Sequence, residues 1–444
     1  MRKMFIVKCS RKVSFLIFIA VLAFAFAGFT DAQFAAQTTA QTSEQLPLRW
    51  WKGNLHTHSL WSDGDDYPEM IVEWYKGHGY HFLALSDHNI LSHGQKWIDA
   101  AESRGGMQAY EKYRARFGSE WVQQRDENGK LMVRLKPLSE FRHLFEEPAR
   151  LLLIQSEEIS DKFGKLSIHL NATNLRELIP PQGGNSVLEV LQNNVNAVLD
   201  QRKKTGQPMI PHLNHPNMGW AVSAEDLARV PGEQFFEVYN GHPIVANYGD
   251  ADHPGTDGMW DIILTQRLAE LSGEIMYGIA TDDTHNYHAQ GSDKANAGRG
   301  WIMVRARRLT PESLIAALEA GDFYASTGVR LKEIRFDGGH LSIEIEPEAG
   351  VTYTTQFIGT RRNYDKRTEP VRGQNGKELA GLRRYSKDVG ATLAEVKGAS
   401  PHYTLKGDEH YVRVKVTSSK PQANPYKAGD LETAWMQPVV PKAK

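Results

Sequence analysis

Histidine and acidic side chains recur in five short segments of the sequence, and these residue types can bind divalent metal ions. The first segment, residues 55–64, reads Leu-His-Thr-His-Ser-Leu-Trp-Ser-Asp-Gly. Alternate residues of a strand point to one side, so the imidazoles of His56 and His58 can reach the same ion, and Asp63 follows on the loop. The other segments are Asp87-His88, Glu157-Glu158 with His169 eleven residues after Glu158, His212-Leu213-Asn214-His215, and Asp282-Asp283-Thr284-His285.

A single histidine at a strand end is more often a hydrogen-bonded residue than a ligand, and a His-X-His pair occurs by chance. Five such segments in one region are hard to attribute to packing, because buried imidazoles and carboxylates are costly unless they are paired or bound to metal. Cys9 is the only cysteine, which excludes a disulfide framework and a cysteine-rich zinc module. A metal would be held by His, Asp and Glu, a ligand set that suits Zn²⁺, Mn²⁺ or Fe²⁺.

Apolar segments of strand length alternate with helical patterns between Trp50 and Ser326, which predicts a parallel α/β architecture. In such folds, functional groups gather at the carboxyl ends of the strands, and several of these segments end in polar residues. The segments are Tyr80–Ser86, Arg150–Ser156, Leu166–Asn171, Met209–Leu213, Phe235–Tyr239, Ile275–Thr281 and Trp301–Arg305.

Two regions depart from this alternation. Residues 95–149 form a polar, partly helical insertion, with a hairpin predicted to turn at Asn128-Gly129, and the insertion is a candidate lid. After residue 329 the apolar residues alternate with period two, which predicts a β-rich C-terminal domain over residues 330–444. The preceding domain would span residues 49–329.

The overall composition is that of an ordinary soluble globular protein, with 444 residues of which 41% are hydrophobic. The 52 basic and 53 acidic side chains offer no electrostatic footprint for duplex nucleic acid. A duplex nucleic-acid partner is therefore not expected.

The N-terminus has the pattern of a secretory signal peptide, because basic residues precede an apolar run and then small residues. The apolar run, Val13–Ala27, is shorter than the roughly 20 residues that span a membrane. We therefore predict a cleaved signal at residues 1–32 and a flexible linker at residues 33–48, rich in Gln, Ala and Thr. The mature protein would be periplasmic or secreted, with no stable membrane span.

The order of the five segments resembles the polymerase and histidinol phosphatase (PHP) superfamily. The His-X-His pair, the Asp-His pair, a Glu within Glu-Ile-Ser, a downstream His, a His-Pro pair and a final Asp-X-His follow one another here as they do in that family. The resemblance covers about residues 51–326. It implies a distorted (β/α)7-type barrel with a trinuclear metal site at the carboxyl ends of the strands, followed in this chain by the small all-β domain.

Carried over motif by motif, the resemblance implies two or three divalent cations, each with its own group of ligands. The first cation would take His56, His58, Glu158 and Asp283. The second would share Glu158 and add His169 and His215. The third would take Asp63, His88 and His285, although some members of the family have a His in place of Asp63.

Residues next to these ligands have separate interpretations. Glu158 and Asp283 are the ligands placed at the centre of catalysis, and His212 is a candidate proton donor to the leaving group. Asp87 is a candidate acceptor that orients a ligand imidazole. Glu157 and Asp282 adjoin ligands but face the opposite way on a strand, so we interpret them as packing residues.

The resemblance implies hydrolysis of a small-molecule phosphate ester by a metal-bound hydroxide. Neighbouring divalent ions lower the pKa of a shared water and neutralise charge on a phosphoryl group. Two alternatives stay open: an amidohydrolase-like hydrolase of an amide or lactone, and a non-catalytic, metal-stabilised surface protein. A glycan or cell-surface partner for the C-terminal domain is an expectation by analogy alone.

The signal-peptide pattern generates a direct prediction. Protein recovered from an exporting host should begin between Gly28 and Phe34, because small residues suited to cleavage end the apolar segment there. Mass spectrometry of the N-terminal peptide measures this. An exported protein that retains Met1 would contradict the prediction.

Overall fold

A computed structural model describes residues 46–373 and 376–441 of the chain. The predicted signal peptide at residues 1–32 and most of the predicted linker lie outside the described residues. Within the described ranges, no helix combines the length and apolar character needed to cross a membrane.

Every apolar segment that the sequence analysis predicted as a strand before residue 330 is a strand. Two further strands, β1 and β12, and three strands of the insertion were not among the predicted segments. In chain order the strands are β1 (Arg49–Asn54), β2 (Phe82–Leu85), β3 (Lys96–Asp99), β4 (Gln124–Glu127), β5 (Lys130–Leu135), β6 (Leu152–Phe163), β7 (Leu166–Thr173), β8 (Ile210–Leu213), β9 (Phe235–Asn240), β10 (Tyr277–Thr281), β11 (Trp301–Ala306) and β12 (Phe323–Ser326).

The helices between these strands begin and end at residues suited to those positions. The side chain of Ser186 accepts a hydrogen bond from the Glu189 backbone N–H at the start of the longest one, which ends at Gly206 in the left-handed conformation. The helices are α1 (Pro68–Gly77), α2 (Gly106–Trp121), α3 (Leu138–Phe145), α4 (Val187–Thr205), α5 (Ala224–Ala228), α6 (Thr256–Thr265) and α7 (Pro311–Glu319), with a 3₁₀ turn at Met218–Trp220 and a π-helical turn at Gln266–Leu271.

A curved sheet in the order β10-β9-β8-β7-β6-β2-β1 carries the histidine and acidic segments. The chain segments that follow β1 and β10 meet beyond the carboxyl ends of these two strands, where Thr57 and Thr284 form a parallel bridge. The backbone N–H of His58 donates to the Thr284 carbonyl at 3.0 Å, and that of Asp283 donates to the His56 carbonyl at 3.1 Å. Segments far apart in sequence are therefore fixed side by side.

The sheet is mixed rather than a regular run of βα units. β1, β2 and β6 are parallel neighbours, as are β8, β9 and β10. β7, however, is antiparallel to both β6 and β8, and a two-residue turn at residues 164–165 joins β6 to β7. The alternation of strands and helices is therefore interrupted at β6–β7, where a hairpin replaces a helical crossover, and the count of seven βα units stays a prediction.

Apolar side chains hold the helices against the outside of this sheet. Val190, Val195 and Val198 of α4 are buried in one cluster with Leu170 of β7 and Leu213 of β8. Burying such a side chain contributes roughly 1.5–3 kcal/mol, so a few of them fix the helix in place.

The insertion at residues 95–149 has its own three-stranded sheet, in the order β3-β5-β4. The predicted hairpin is confirmed, with Asn128 and Gly129 at φ 56° and 79° in the turn between β4 and β5. Aromatic residues of the insertion share a buried cluster with Trp61 and Tyr67 from the loop after β1. This packing makes the insertion a wall beside that loop, which disfavours the interpretation of a separate lid.

The chain after residue 330 is rich in strands, as its period-two pattern predicted. The strands are β13 (Leu331–Asp337), β14 (His340–Ile345), β15 (Tyr353–Arg361), β16 (Thr368–Arg372), β17 (Glu378–Tyr385), β18 (Ala391–Lys397), β19 (His402–Thr404), β20 (Glu409–Pro421) and β21 (Leu431–Val439).

The main sheet continues across the predicted boundary at residues 329 and 330. β21 pairs with β12, so the ladder runs from β1 through β11 and β12 into β21, β20, β15 and β18. The Gln437 side chain also bonds to the backbone N–H and carbonyl of Gly278 in β10, at 2.9 and 2.8 Å. The described residues from Leu46 onward form one compact unit, and the division into two domains stays a prediction.

A buried ion pair adds a second link between the two parts. Arg413 of β20 donates to both carboxylate oxygens of Asp261 in α6, at 2.7 and 2.6 Å, and both side chains are almost fully buried. Removing one partner of such a pair typically costs about 3–5 kcal/mol, since the other charge stays buried. The C-terminal strands thus contribute to the stability of the part that carries the histidines.

Candidate metal centre

Backbone pairing brings the five histidine and acidic segments to one place. His88 and Glu158 form a parallel bridge, and His169 pairs with Ser160 across the β6–β7 hairpin. The backbone N–H of Asn214 donates to the His169 carbonyl at 3.0 Å. Glu158 and His169 therefore lie within long strands, so the expectation that every segment sits at the carboxyl end of its strand is wrong for these two.

The first predicted group forms a compact cage of four side chains. His56 Nε2 lies 3.4 Å from Glu158 Oε2 and 3.3 Å from Asp283 Oδ1. His58 Nε2 lies 3.3 and 3.2 Å from the same two oxygens. Four ligands at about 2.0–2.2 Å from a tetrahedral ion are separated by about 3.3–3.5 Å, so the spacing fits a single cation.

The imidazole ligand atoms of this cage also lack other partners. His56 Nε2, His58 Nε2 and Glu158 Oε2 are buried without a hydrogen bond in the described part of the structure, although His88 Nδ1 lies 2.8 Å from Glu158 Oε2. Buried polar atoms without partners are rare because each carries an uncompensated desolvation cost. Since these atoms converge on one point, the residues present fit a bound cation.

The second predicted group is built on the other oxygen of Glu158. Its Oε1 lies 3.0 Å from His169 Nδ1 and 3.2 Å from His215 Nε2. Because Oε2 faces the first cage and Oε1 faces these two histidines, one carboxylate lies between two groups of ligands. Asn214 Nδ2 donates to Oε1 at 2.8 Å and fixes the carboxylate in this orientation.

The third predicted group surrounds Asp63. Its Oδ1 lies 3.4 Å from His88 Nε2 and 3.3 Å from His285 Nε2, and it has no hydrogen-bond partner among the described residues. His285 Nδ1 lies 2.9 Å from the Asp283 carbonyl, so a proton held there leaves Nε2 free to face Asp63. His58 lies between the first and third groups, because its Nδ1 atom is 3.8 Å from Asp63 Oδ1. All nine predicted ligands are thus assembled in three adjoining groups.

The electrostatics of the cluster keep acids ionised and one central imidazole neutral. Burial and the adjacent His285 and His88 lower the pKa of His58 to about 3. Burial opposes ionisation of Glu158, but the surrounding histidines, His88 first, outweigh it and hold its pKa well below the usual range. A neutral imidazole and an ionised carboxylate are the forms that bind a metal.

The structure places His212 away from the cage. Both ring nitrogens are buried, and neither has a hydrogen-bond partner among the residues that the structure describes. Nε2 lies 3.8 Å from Glu237 Oε1, on the side of His56 that faces away from the ligand atoms. A proton donor has to reach the leaving group, which the fully buried His212 does not. The interpretation of His212 as the proton donor is therefore not supported by its position.

Asp87 supports a loop rather than an imidazole. Its carboxylate accepts hydrogen bonds from the backbone N–H and hydroxyl of Ser59, at 2.8 Å each, and from those of Ser62, at 3.0 and 2.6 Å. These bonds shape the loop that carries Asp63. Its predicted role as an acceptor for a ligand imidazole is therefore corrected.

Glu157 and Asp282 face away from the cage, as the strand geometry predicted. Glu157 accepts from the Ile179 backbone N–H at 2.7 Å. Asp282 accepts from the Tyr75 hydroxyl and from three successive backbone N–H groups at residues 298–300, which fixes the loop after the last ligand segment. Both are structural carboxyls.

Sequence reasoning missed two residues that lie close to the ligands. Glu237 of β9 bonds to His56 Nδ1 at 2.7 Å, and the signal for it was an acid inside the apolar segment Phe235–Tyr239. His242, which belongs to none of the five segments, has its ring 5.3 Å from that of His285. Burial lowers the pKa of His242 to about 4, so it is a neutral imidazole at the edge of the site.

Comparisons with known proteins give structural neighbours only. No protein-family model and no curated protein sequence matches this chain. A two-domain protein from Bacteroides vulgatus, described as containing a predicted PHP-like metal-dependent phosphoesterase, is 15% identical, with a TM-score of 0.39, over 88% of this chain and 96% of its own. The chain resembles PHP-like metal-dependent phosphoesterases.

Two further structures each match 55% of this chain. A Bifidobacterium adolescentis protein, to which metal-dependent phosphoesterase activity is assigned by prediction, is 12% identical with a TM-score of 0.27, over 55% of this chain and 90% of its own. An amidohydrolase from Chromobacterium violaceum is 13% identical with a TM-score of 0.28 over the same shares. Identities this low identify no substrate, and the chemistry of this chain has to be inferred from its own side chains.

The buried carboxyl of Glu157 generates a prediction about pH. Burial raises its pKa to about 8, so the native state keeps a proton that the unfolded chain loses near its ordinary value of 4.5. The stability contributed by this proton is complete below about pH 4.5 and is lost as the pH rises through about 8.

Glu157→Gln removes this titration while keeping the shape of the neutral side chain. The melting temperature of the variant should therefore rise relative to that of the parent protein between pH 5 and pH 9, by a few degrees. Thermal unfolding in the presence of a chelator measures the difference, in which all other titrating groups cancel. A difference that stays constant or falls with pH would contradict the assignment.

Proposed function

We propose that this protein is a metal-dependent phosphoesterase of the PHP superfamily that hydrolyses a small-molecule phosphate ester at a trinuclear His, Asp and Glu site. The observation that carries the proposal is the cage of His56, His58, Glu158 and Asp283, whose ligand atoms lie 3.2–3.4 Å apart. Among the described residues, the two imidazole nitrogens of the cage have no hydrogen-bond partner. A non-catalytic scaffold would not require two further groups of ligands beside this cage.

The donor set of nitrogen and carboxylate oxygen fits Zn²⁺, Mn²⁺ or Fe²⁺ in two or three positions. When bound, such ions supply a water of lowered pKa and neutralise charge on the phosphoryl oxygens and the leaving group. Glu158 contributes one oxygen to each of two groups, which would hold two cations at a fixed separation. The complete burial of His56, His58 and Glu158 excludes bulk water from that position.

Exposure of the ligands indicates the side from which a substrate enters. The side chains of Asp63 and His88 are 33% and 27% exposed, whereas His56, His58 and Glu158 are fully buried. Arg104 of the insertion places a guanidinium nitrogen 3.7 Å from Asp63 Oδ2 and is mostly exposed. We therefore propose that the phosphoryl group approaches past Asp63, with Arg104 offering a positive charge at the entrance.

We also propose that the protein is exported, on the basic, apolar and small-residue pattern of its N-terminus. An exported phosphoesterase would act on phosphate esters outside the cytoplasm. The partner of the C-terminal strands is not part of this proposal.

Turnover of a substrate panel tests the reaction class. The metal-loaded protein should release phosphate from monoesters, or p-nitrophenol from bis(p-nitrophenyl) phosphate, and should leave amides and lactones intact. His56→Ala should lower turnover by at least about 10²-fold because it removes a ligand from the cage. The matched control is His402→Ala, which alters an exposed histidine of β19. Amide or lactone hydrolysis without phosphoester hydrolysis would replace the proposal with an amidohydrolase-like activity.

Metal stoichiometry tests the three groups. Asp63→Ala should remove about one metal equivalent and lower turnover strongly, because Asp63 belongs to the third group alone. Glu158→Ala should disturb about two equivalents, because its two oxygens face different groups. Asp126→Ala, in the exposed hairpin of the insertion, is the control.

Elemental analysis and phosphatase kinetics on the same preparations supply both measurements. If Asp63→Ala retains full metal content and full rate, the trinuclear site is wrong and a binuclear site replaces it.

A further inference from the structure

Glu237 is a fully buried carboxylate in β9 that lies beside the first cage without joining it. Oε1 lies 2.7 Å from His56 Nδ1 and accepts from the Thr281 hydroxyl at 2.6 Å. Oε2 accepts from the His215 backbone N–H and from Asn240 Nδ2, at 2.7 Å each. Four donors thus meet the roughly four acceptor positions of an ionised carboxylate.

This arrangement fixes the proton of His56. A carboxylate can only accept, so His56 Nδ1 carries a proton, and a ring that is neutral in order to bind a metal has its lone pair on Nε2. Nε2 is the atom that faces Glu158 and Asp283 in the cage. Glu237 therefore holds His56 in the tautomer that a metal requires.

The same carboxylate supports two ligands whose backbones are in an unfavourable conformation. His215 and Asp283 have positive φ angles of 23° and 50°, which typically cost about 1–3 kcal/mol for residues other than glycine. Glu237 accepts a hydrogen bond from the backbone N–H of His215. The Nδ2 atom of Asn240, which donates to Glu237, also donates to Asp283 Oδ2 at 3.1 Å. Ligands of two groups thus depend on one side chain.

We propose that Glu237 is a positioning residue that sets the metal affinity of this site, through the tautomer of His56 and the backbone positions of His215 and Asp283. This inference rests on the metal site proposed above. Glu237 is not one of the predicted ligands, so it acts on the metal site through the ligands that it contacts, His56 and His215.

Replacing Glu237 with Gln tests the role with almost no change in volume. The amide presents two donor hydrogens where the carboxylate had acceptor lone pairs. If its NH₂ faces His56, the imidazole has to move its proton to Nε2, where a metal should bind. If the NH₂ faces His215, it meets a backbone N–H that cannot become an acceptor.

Zinc affinity, measured at pH 7 by competition with a chromophoric chelator, is the main readout. Glu237→Gln should raise the apparent dissociation constant about 10- to 100-fold, the usual effect of losing a residue that orients a ligand. The matched control is Glu157→Gln, a buried carboxyl of the adjacent region that faces away from the cage and should leave zinc affinity unchanged. Equal affinities for the two variants would overturn the proposal.

Thermal unfolding separates positioning from general stability. A merely structural role would lower the melting temperature of the metal-free protein but leave the increment produced by added zinc unchanged. The proposal requires a smaller zinc increment for Glu237→Gln than for Glu157→Gln, and an unchanged increment contradicts it. The visible spectrum of bound Co²⁺ should also change, because one imidazole ligand is weakened.

A milder variant covers the case in which Glu237→Gln does not fold. Thr281→Val keeps the shape of the side chain and removes one of the four hydrogen bonds to Glu237. It should weaken zinc binding severalfold, and an affinity equal to that of the parent protein would overturn the proposal. Failure of the parent protein itself to bind zinc, manganese or iron would instead overturn the proposed function together with this inference.

Discussion

The structure depends on a single buried carboxylate that is surrounded by imidazoles. Glu158 lies within 2.8–3.4 Å of nitrogen atoms of five histidines and is fully shielded from solvent. A charge withdrawn from water costs several kcal/mol unless its surroundings compensate for it. The hairpin of β6 and β7, the bridge from His88 and the closure between the ends of β1 and β10 together supply that compensation, because each brings histidines from a different part of the chain to the same carboxylate.

The ligand segments could be identified from sequence because each carries its residue types at a short, fixed spacing. His56 and His58 face one way since strand geometry leaves no alternative, and the opposite orientation of Glu157 followed from the same rule. The sequence did not show that His212 lies away from the ligand atoms, because the spacing from His212 to His215 does not reveal which of the two side chains faces the cage. That depends on the register between β7 and β8, where Asn171 lies opposite His212, and register is a long-range property.

The pairing of the strands was harder to predict from the sequence, because it too is a long-range property. Alternating strand and helix patterns predicted the strands, but a two-residue turn at residues 164–165 carries no signal strong enough to distinguish a hairpin from a helical crossover. Glu237 lies within an apolar strand, and in the sequence it is a single acidic residue among apolar ones. Its role follows only from the four hydrogen-bond donors that surround it in the structure. The pairing of β21 with β12 joins residues more than one hundred positions apart, which local composition does not encode.

The pairing of β21 with β12 also bears on the order in which the sheet is built. β21 spans Leu431–Val439, yet it borders β12, and Gln437 bonds to β10 beside the ligand strands. Contacts between distant parts of a chain form late in folding, since the entropy of closing long loops has to be overcome first. The edge of the sheet beside β12 can therefore close only once residues 431–439 have been synthesised, more than one hundred positions after His285, the last of the predicted ligands.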